Sequence, residues 1–262
     1  MKVGFWGFGN MGRAVARGLE RAGVGRENFI VSVKSKTSKE KLLKEGYSVL
    51  PLEGVALASD VLFLAVKPKD LFEVAKAAAP YARGKLLVSL LAGTDLETLK
   101  RAFPQAKVVR TMPNLAVSVG KGLWGVTFSP DLSEEEKRKV VDLLSKTGKV
   151  FELEESLMDA FTALAGSGPA FAAELLDALA QGGVKLGFKY QTALEAVLAL
   201  FEGTVALLKE EGLHPALLRD RVSSPAGTTV YGLSVLYSKA VKGALMEALE
   251  AAAKRAKELK KG

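Results

Sequence analysis

The amino-acid sequence predicts an α/β fold with a doubly wound, parallel sheet, followed by an all-helical second part. Three observations carry that expectation. Short apolar runs alternate with amphipathic stretches through the first half, and a glycine-rich turn directly follows the first run. Strand signals then stop near Leu153, where Ala/Leu-rich helical stretches take over. Buried strands of about six residues separated by helices belong to a sheet covered on both faces.

The apolar runs are Val3–Trp6, Phe29–Val33, Val61–Val66, Leu86–Leu91, Val108–Met112 and Leu123–Phe128. Arg13–Ala22, Ser38–Glu45 and Asp70–Ala79 read as helices between them. Ser133-Glu134-Glu135-Glu136 is a capping box ahead of a helix to about Thr147, and Lys149–Leu153 reads as a last strand. Helices are then expected over Glu155–Ala165, Pro169–Gly187, Tyr190–Glu211, Pro215–Val222, Thr228–Leu236 and Ser238–Lys261, with Gly or Pro at most joints. A boundary near residue 153 gives two domains, 1–153 and 154–262. Ala170–Leu186 is apolar on several faces. So apolar a helical unit is expected to bury part of itself against a second copy, giving a dimer through the second half.

Composition removes several chemistries. The 262 residues contain no cysteine and a single histidine, His214. Disulfides, thiolate nucleophiles, Fe–S clusters and cysteine zinc sites are therefore out, and no metal site is expected. The net charge is +8, but Lys254 to Gly262 hold five basic and one acidic residue, half of that excess. This tail reads as a solvated helix end, with cations near the C-terminal dipole. No aromatic-interleaved basic patch accompanies it, so nucleic acid is not an expected partner. The N-terminus lacks a cleavable signal layout, and no apolar run approaches the roughly 20 residues of a membrane span. A soluble, cytoplasmic protein with no membrane partner is expected.

Gly7-Phe8-Gly9-Asn10-Met11-Gly12 matches G-x-G-x-x-G between a predicted strand and a predicted helix, the context of a Rossmann dinucleotide site. Gly7 permits the tight turn, Gly9 lets the backbone approach a pyrophosphate, and Gly12 lets helix and strand touch. The pyrophosphate is expected on the free N–H groups that open the helix. Beyond the second strand, Ser32-Val33-Lys34-Ser35-Lys36-Thr37-Ser38 offers cations and hydroxyls with no carboxylate. That favours a 2′-phosphate, hence NADPH, with NADH possible. Ala65-Val66-Lys67-Pro68 and Ser89-Leu90-Leu91-Ala92-Gly93 close two further strands and belong to the same ligand edge. Lys67 suits a salt bridge or a ligand contact equally.

The second half must supply a substrate site. His214 precedes Pro215 at a helix start, a capping position more than a catalytic one. β-Hydroxyacid dehydrogenases, which share the two-domain plan, place a lysine after a glycine-rich stretch, but Gly166-Ser167-Gly168-Pro169-Ala170-Phe171-Ala172-Ala173-Glu174 has none. Carbonyl reduction thus lacks an evident acid. Imine reduction asks less, because solvent can protonate a cyclic imine before binding. Ser223-Ser224-Pro225-Ala226-Gly227-Thr228-Thr229 opens a helix with hydroxyls and a flexible glycine, suited to holding a carboxylate; it also suits a plain capping loop.

At these residues the sequence resembles the pyrroline-5-carboxylate reductase family. The resemblance runs through Gly4–Gly12, Ala65–Pro68, Val109-Arg110-Thr111-Met112-Pro113-Asn114, Ala163–Ala170, Asp177–Gly187, Val222–Thr229 and the closing helix Glu247–Leu259. It implies NAD(P)H-dependent reduction of 1-pyrroline-5-carboxylate to L-proline by dimers, often assembled into rings of five. It further implies that Thr229 contacts the imine nitrogen as proton donor. Ser224, Thr228 and backbone N–H groups near Gly227 would hold the carboxylate, and Val222 would line the pocket from the partner subunit. Ala65, Val66, Lys67, Pro68, Ala92 and Gly93 would flank the nicotinamide, with Lys34, Ser35 and Lys36 at the adenosine end. Leu52-Glu53 departs from the Asn of many members. Gly12 and Thr228 stand where several have Ala, and Ala226 where several have Gly. Two alternatives stay open: a reductase of another cyclic imine or small acid, and a non-catalytic dinucleotide-binding regulator.

Overall fold

A computed structural model describes residues 1–258. In the first part, β1 (Val3–Trp6), β2 (Phe29–Ser32), β3 (Ser48–Val49), β4 (Val61–Leu64), β5 (Leu86–Ser89), β6 (Lys107–Pro113), β7 (Gly122–Phe128) and β8 (Gly148–Glu152) form one sheet. Its order is β3-β2-β1-β4-β5-β6-β7-β8. The helices between them are α1 (Asn10–Arg21), α2 (Lys36–Lys44), α3 (Leu52–Ala58), α4 (Leu71–Ala78), α5 (Leu96–Ala102) and α6 (Glu134–Ser145). The predicted capping box is present: Ser133 Oγ accepts from the Glu136 amide and Glu136 accepts from the Ser133 amide. The order reverses at β1 and β4, which run parallel with Phe5 opposite Phe63 and Trp6 opposite Leu64. Such a switch point is where an open sheet leaves a crevice at its strand C-termini.

Both faces of the central strands are buried. Phe5, Val31, Phe63, Val88 and Val109 pack on one side with α1 residues Val15 and Leu19. Trp6, Ile30, Leu62, Leu64 and Leu87 pack on the other with Val55, Val74 and Leu99 of α3, α4 and α5. The Phe5 and Phe63 rings stack at 5.1 Å. Continuous apolar strands thus meet helices on each side, as the run pattern requires.

The expected all-parallel sheet needs a correction. β6 and β7 pair antiparallel, with Arg110 opposite Thr127 and Met112 opposite Gly125. A parallel pair needs a crossover of a dozen or more residues, and the Asn114–Lys121 link is too short for one. Gly120 at φ +74° turns the chain there.

By packing, the chain divides into Met1–Ser167 with the residues from Ala252, and Gly168–Ala251. Packing therefore carries the first unit past residue 153. Segment 155–167 is tied to β6 and β7: Arg110 pairs with Glu155, and Gly125 leaves room for the Phe161 ring. This segment is also no single helix. It runs as a 3₁₀ turn (Glu155–Leu157), a short α7 (Met158–Phe161) and a π-helical turn (Thr162–Ser167).

The remaining helices are α8 (Gly168–Lys185), α9 (Tyr190–Glu210), α10 (Pro215–Arg221), α11 (Thr228–Ser238) and α12 (Val241–Glu258). The joint expected before Ser238 falls at Ala240, in the left-handed region at φ +50°. Leu259 and the tail residues Lys260, Lys261 and Gly262 lie outside the described residues. Within the second unit, α8 and α9 pack through Ala180, Ala193 and Val197. Gly183 permits that approach, since a Cβ there would stand 2.9 Å from the Ala193 Cβ. Large side chains remain outside this small core, Leu186 at 81% and Tyr231 at 70% exposed. α9 is long and apolar enough to cross a membrane by length and composition, which corrects the expectation that no stretch approaches a span. It carries Glu195 and Glu202, and ionisable groups within a span are costly.

Candidate active site

The glycine turn has the geometry its motif predicts at two of its three glycines. Gly7 lies at φ +85°, and a Cβ would meet the Ala65 carbonyl oxygen at 2.7 Å. Gly9 is the N-cap of α1 with no side-chain cap, and a Cβ there would have no atom within 4 Å. The first amides of α1, at Asn10, Met11 and Gly12, thus face an open cradle beside a helix N-terminus, which fits a pyrophosphate. Gly12 is the exception. A Cβ there makes ordinary contact, 3.4 Å from the Ala65 Cβ. The glycine in α1 with no room is Gly18, whose Cβ would collide with the Val117 carbonyl. Phe8 also serves differently from a ligand side chain: its ring is buried against Phe5 and Tyr47, leaving only its backbone to the turn.

Beyond β2, Ser35 caps α2, its Oγ accepting from the Ser38 amide at 3.2 Å. Lys34 Nζ lies 2.7 Å from Glu73 and 3.4 Å from Asp70, and the hydrogen bond to Glu73 holds its pKa above the ordinary lysine value. Lys36 makes no ion pair among the described residues. After β4, the Ala65 amide donates to the Trp6 carbonyl at 2.8 Å, and Pro68 starts a short 3₁₀ turn. Lys67 is exposed and likewise makes no ion pair among the described residues. Gly93, at φ +71°, turns the chain after β5, with Ala92 exposed beside it.

In the second unit the Ser223–Thr229 loop leads into α11. Gly227 is the N-cap with no side-chain cap, and its own Cβ would collide with Ser224 Oγ. Ser223 Oγ is tied back to the Arg219 carbonyl at 2.7 Å. The hydroxyls of Ser224, Thr228 and Thr229 have no hydrogen-bond partner among the described residues. Val222 is 57% exposed and borders a groove of about 680 Å³ that Leu200, Leu207 and Leu218 also line. Ala226 takes φ +56°, a conformation that suits glycine. His214 caps α10 through Nδ1, which accepts from the Ala216 amide at 3.2 Å.

Residues 155–259 match the family model described as pyrroline-5-carboxylate reductase dimerisation. Residues 2–93 match one described as NADP oxidoreductase coenzyme F420-dependent. The pyrroline-5-carboxylate reductase of Aquifex aeolicus is 41% identical over 261 residues, covering 99% of this chain and 97% of that protein. The Thermus thermophilus enzyme is 36% identical, covering 99% and 98%. The chain belongs to the pyrroline-5-carboxylate reductase family. Among solved structures, the Plasmodium falciparum pyrroline carboxylate reductase with NADP bound superposes with a TM-score of 0.89 at 30% identity, covering 99% of this chain and 98% of that one.

Two of the reductase family's motifs, quoted above without a role, meet in the first unit. Asn114 is buried, and its side chain donates to the Ala165 carbonyl at 3.1 Å and accepts from the Leu123 amide at 3.2 Å. A Cβ on Gly166 would stand 2.6 Å from Met112 Cε. The π-helical turn is therefore seated on the end of β6. Spacing in sequence does not join these residues; only the strand reversal does. Arg110, buried on β6, completes the anchorage by reaching Glu155 at 2.8 Å and Asp159 at 3.5 Å.

Proposed function

We propose that this chain reduces 1-pyrroline-5-carboxylate to L-proline with NAD(P)H, the last step of proline biosynthesis. Membership of the reductase family supports the reading, and one feature of the geometry carries it at the site. The helix α11 opens without a side-chain cap beside three hydroxyls that have no hydrogen-bond partner among the described residues. Backbone N–H groups at such an end favour an anion, here the substrate carboxylate, with Ser224 and Thr228 as hydroxyl donors. Thr229 Oγ1 donates the proton to the imine nitrogen, and Val222 lines the pocket from the partner subunit. The nicotinamide nucleotide, when bound, would supply the hydride that adds to the imine carbon, C2 of the pyrroline ring, which becomes C5 of proline. Hydride at C5 and a proton at nitrogen together give proline, with no histidine or thiol required.

Residues 1–153 serve as the dinucleotide-binding domain and 154–262 as the dimerisation and substrate domain. Gly7 to Gly12 hold the pyrophosphate. Lys34, Ser35 and Lys36 face the adenosine end, and Ala65 to Pro68 with Ala92 and Gly93 flank the nicotinamide. The apolar faces of the second unit are covered by a second copy, which also accounts for α9 without lipid; such homodimers assemble into a larger ring in the cytoplasm.

The test is oxidation of NADPH with 1-pyrroline-5-carboxylate, run beside NADH and beside cyclic imines of other ring sizes. Turnover with the five-membered substrate is the expected result. Absence of turnover with both nucleotides removes the assignment, and faster turnover of another ring reassigns the substrate.

A further inference from the structure

Lys34 follows β2 at the end of the sheet where its ligand edge lies, the position from which a cation would meet a ribose 2′-phosphate. In the structure that cation is already engaged. Glu73, in the first turn of α4, lies 2.7 Å from Nζ, and Asp70, in the turn after β4, lies 3.4 Å away. One lysine faces two carboxylates, so the cluster is net negative. Asp70 is the better fixed of the two, its side chain 25% exposed against 67% for Glu73. A 2′-phosphate carrying about two negative charges would have to displace these carboxylates from Lys34 and then lie beside them. A ribose 2′-hydroxyl meets no such repulsion, and carboxylates are suitable acceptors for it. Ser35, Lys36 and Thr37 open α2, and Lys36 makes no ion pair among the described residues.

We propose that Asp70 and Glu73 set the preference between NADPH and NADH by holding Lys34 away from the 2′-phosphate. The proposal rests on the reading that this edge binds a nicotinamide nucleotide. Neither carboxylate belongs to the glycine motif or to the Lys34–Ser38 segment from which nucleotide preference is ordinarily read. They reach the site only because β4 lies next to β1 in the sheet. Exposed ion pairs are weak, so Lys34 can exchange partners, and the effect is one of degree.

The experiment is calorimetric titration of the whole chain with adenosine 2′,5′-bisphosphate and with adenosine 5′-monophosphate. Wild type, Glu73→Gln, Asp70→Asn and the double variant are compared, each also with Lys34→Ala. Glu73→Gln and Asp70→Asn are expected to tighten the bisphosphate by roughly three- to ten-fold while the monophosphate changes by less than about two-fold. Lys34→Ala abolishes the gain, and the NADPH-to-NADH ratio of kcat/KM moves in the same direction. Equal effects on both ligands, no effect on either, or a gain that survives Lys34→Ala overturns the proposal. Wild-type binding of the monophosphate with indifferent carboxylate variants overturns it alone. Wild-type failure to bind either ligand overturns the nucleotide reading beneath it.

Discussion

The Asn114 side-chain amide donates to the Ala165 carbonyl across 3.1 Å, joining the end of β6 to the π-helical turn that precedes α8. The same side chain accepts from the Leu123 amide, so one residue satisfies two backbone groups. Asn114→Ala would strand both. Leaving a buried polar group unpaired costs about 1–3 kcal/mol, so urea unfolding should show a loss of roughly 2–4 kcal/mol. Asn114→Asp keeps the acceptor and should lose less. A loss below about 0.5 kcal/mol for Asn114→Ala would contradict this role.

The three motif glycines should separate cleanly. Gly7→Ala is expected to damage folding, because φ +85° and the 2.7 Å approach to Ala65 both forbid a side chain. Gly12→Ala should leave melting temperature and nucleotide affinity near wild type, since its Cβ finds ordinary contacts. Gly9→Ala should keep the wild-type melting temperature yet weaken NADPH, because its methyl fills the cradle and touches no protein atom. Thermal melts paired with NADPH titration read all three.

Thr229→Ala should lower kcat by roughly 10²–10⁴-fold, the range for loss of a positioned general acid. NADPH affinity should stay within about two-fold, and Thr229→Ser should recover most of the rate. A loss of only a few-fold would mean that water or a pre-formed iminium supplies the proton.

Ala226 holds φ +56°, a strain of about 1–2 kcal/mol for a residue with a Cβ. Ala226→Gly removes it and adds some freedom to the unfolded chain, for a net gain of up to about 1 kcal/mol. Chemical denaturation checks the sign.

Arg26 binds both carboxylate oxygens of Glu20, at 2.6 and 3.0 Å, and Tyr47 donates to the same carboxylate. The hydrogen bond from Arg26 leads in holding the Glu20 pKa below its ordinary 4.5, against desolvation. The resulting stability is complete above the unfolded value and is lost as pH falls through the lower folded one. Glu20→Gln should therefore cost up to about 1 kcal/mol near neutrality, with the difference vanishing in acid. A difference that persists in acid would assign the effect to packing.

Most of the fold is legible because its central strands are short, largely apolar and mostly separated by helices. The direction of β7 is not, since periodicity carries no strand direction and only the length of the Asn114–Lys121 link betrays the reversal. β3 spans two residues and offers no pattern to read. The π turn at Thr162–Ser167 sits inside an apolar stretch that reads as one helix, and its anchor at Asn114 is 51 residues away. In the site, Gly7 announced itself because turn and strand contact both demand glycine. Lys34 was legible as a cation but its partners were not, being 36 and 39 residues distant. Gly18 went unread for the same reason: the Val117 carbonyl it accommodates comes from the β6–β7 link.

Hydride transfer to an imine carbon is the chemistry at the centre of the proposed function, and isotope transfer reads it directly. The enzyme is supplied with 1-pyrroline-5-carboxylate and NADPH deuterated at the transferable position of the nicotinamide, and the product is examined by mass spectrometry and NMR. The expected result is L-proline carrying one deuterium at C5, formed in step with nucleotide oxidation. Proline without deuterium, or oxidation of the nucleotide without proline, would contradict it.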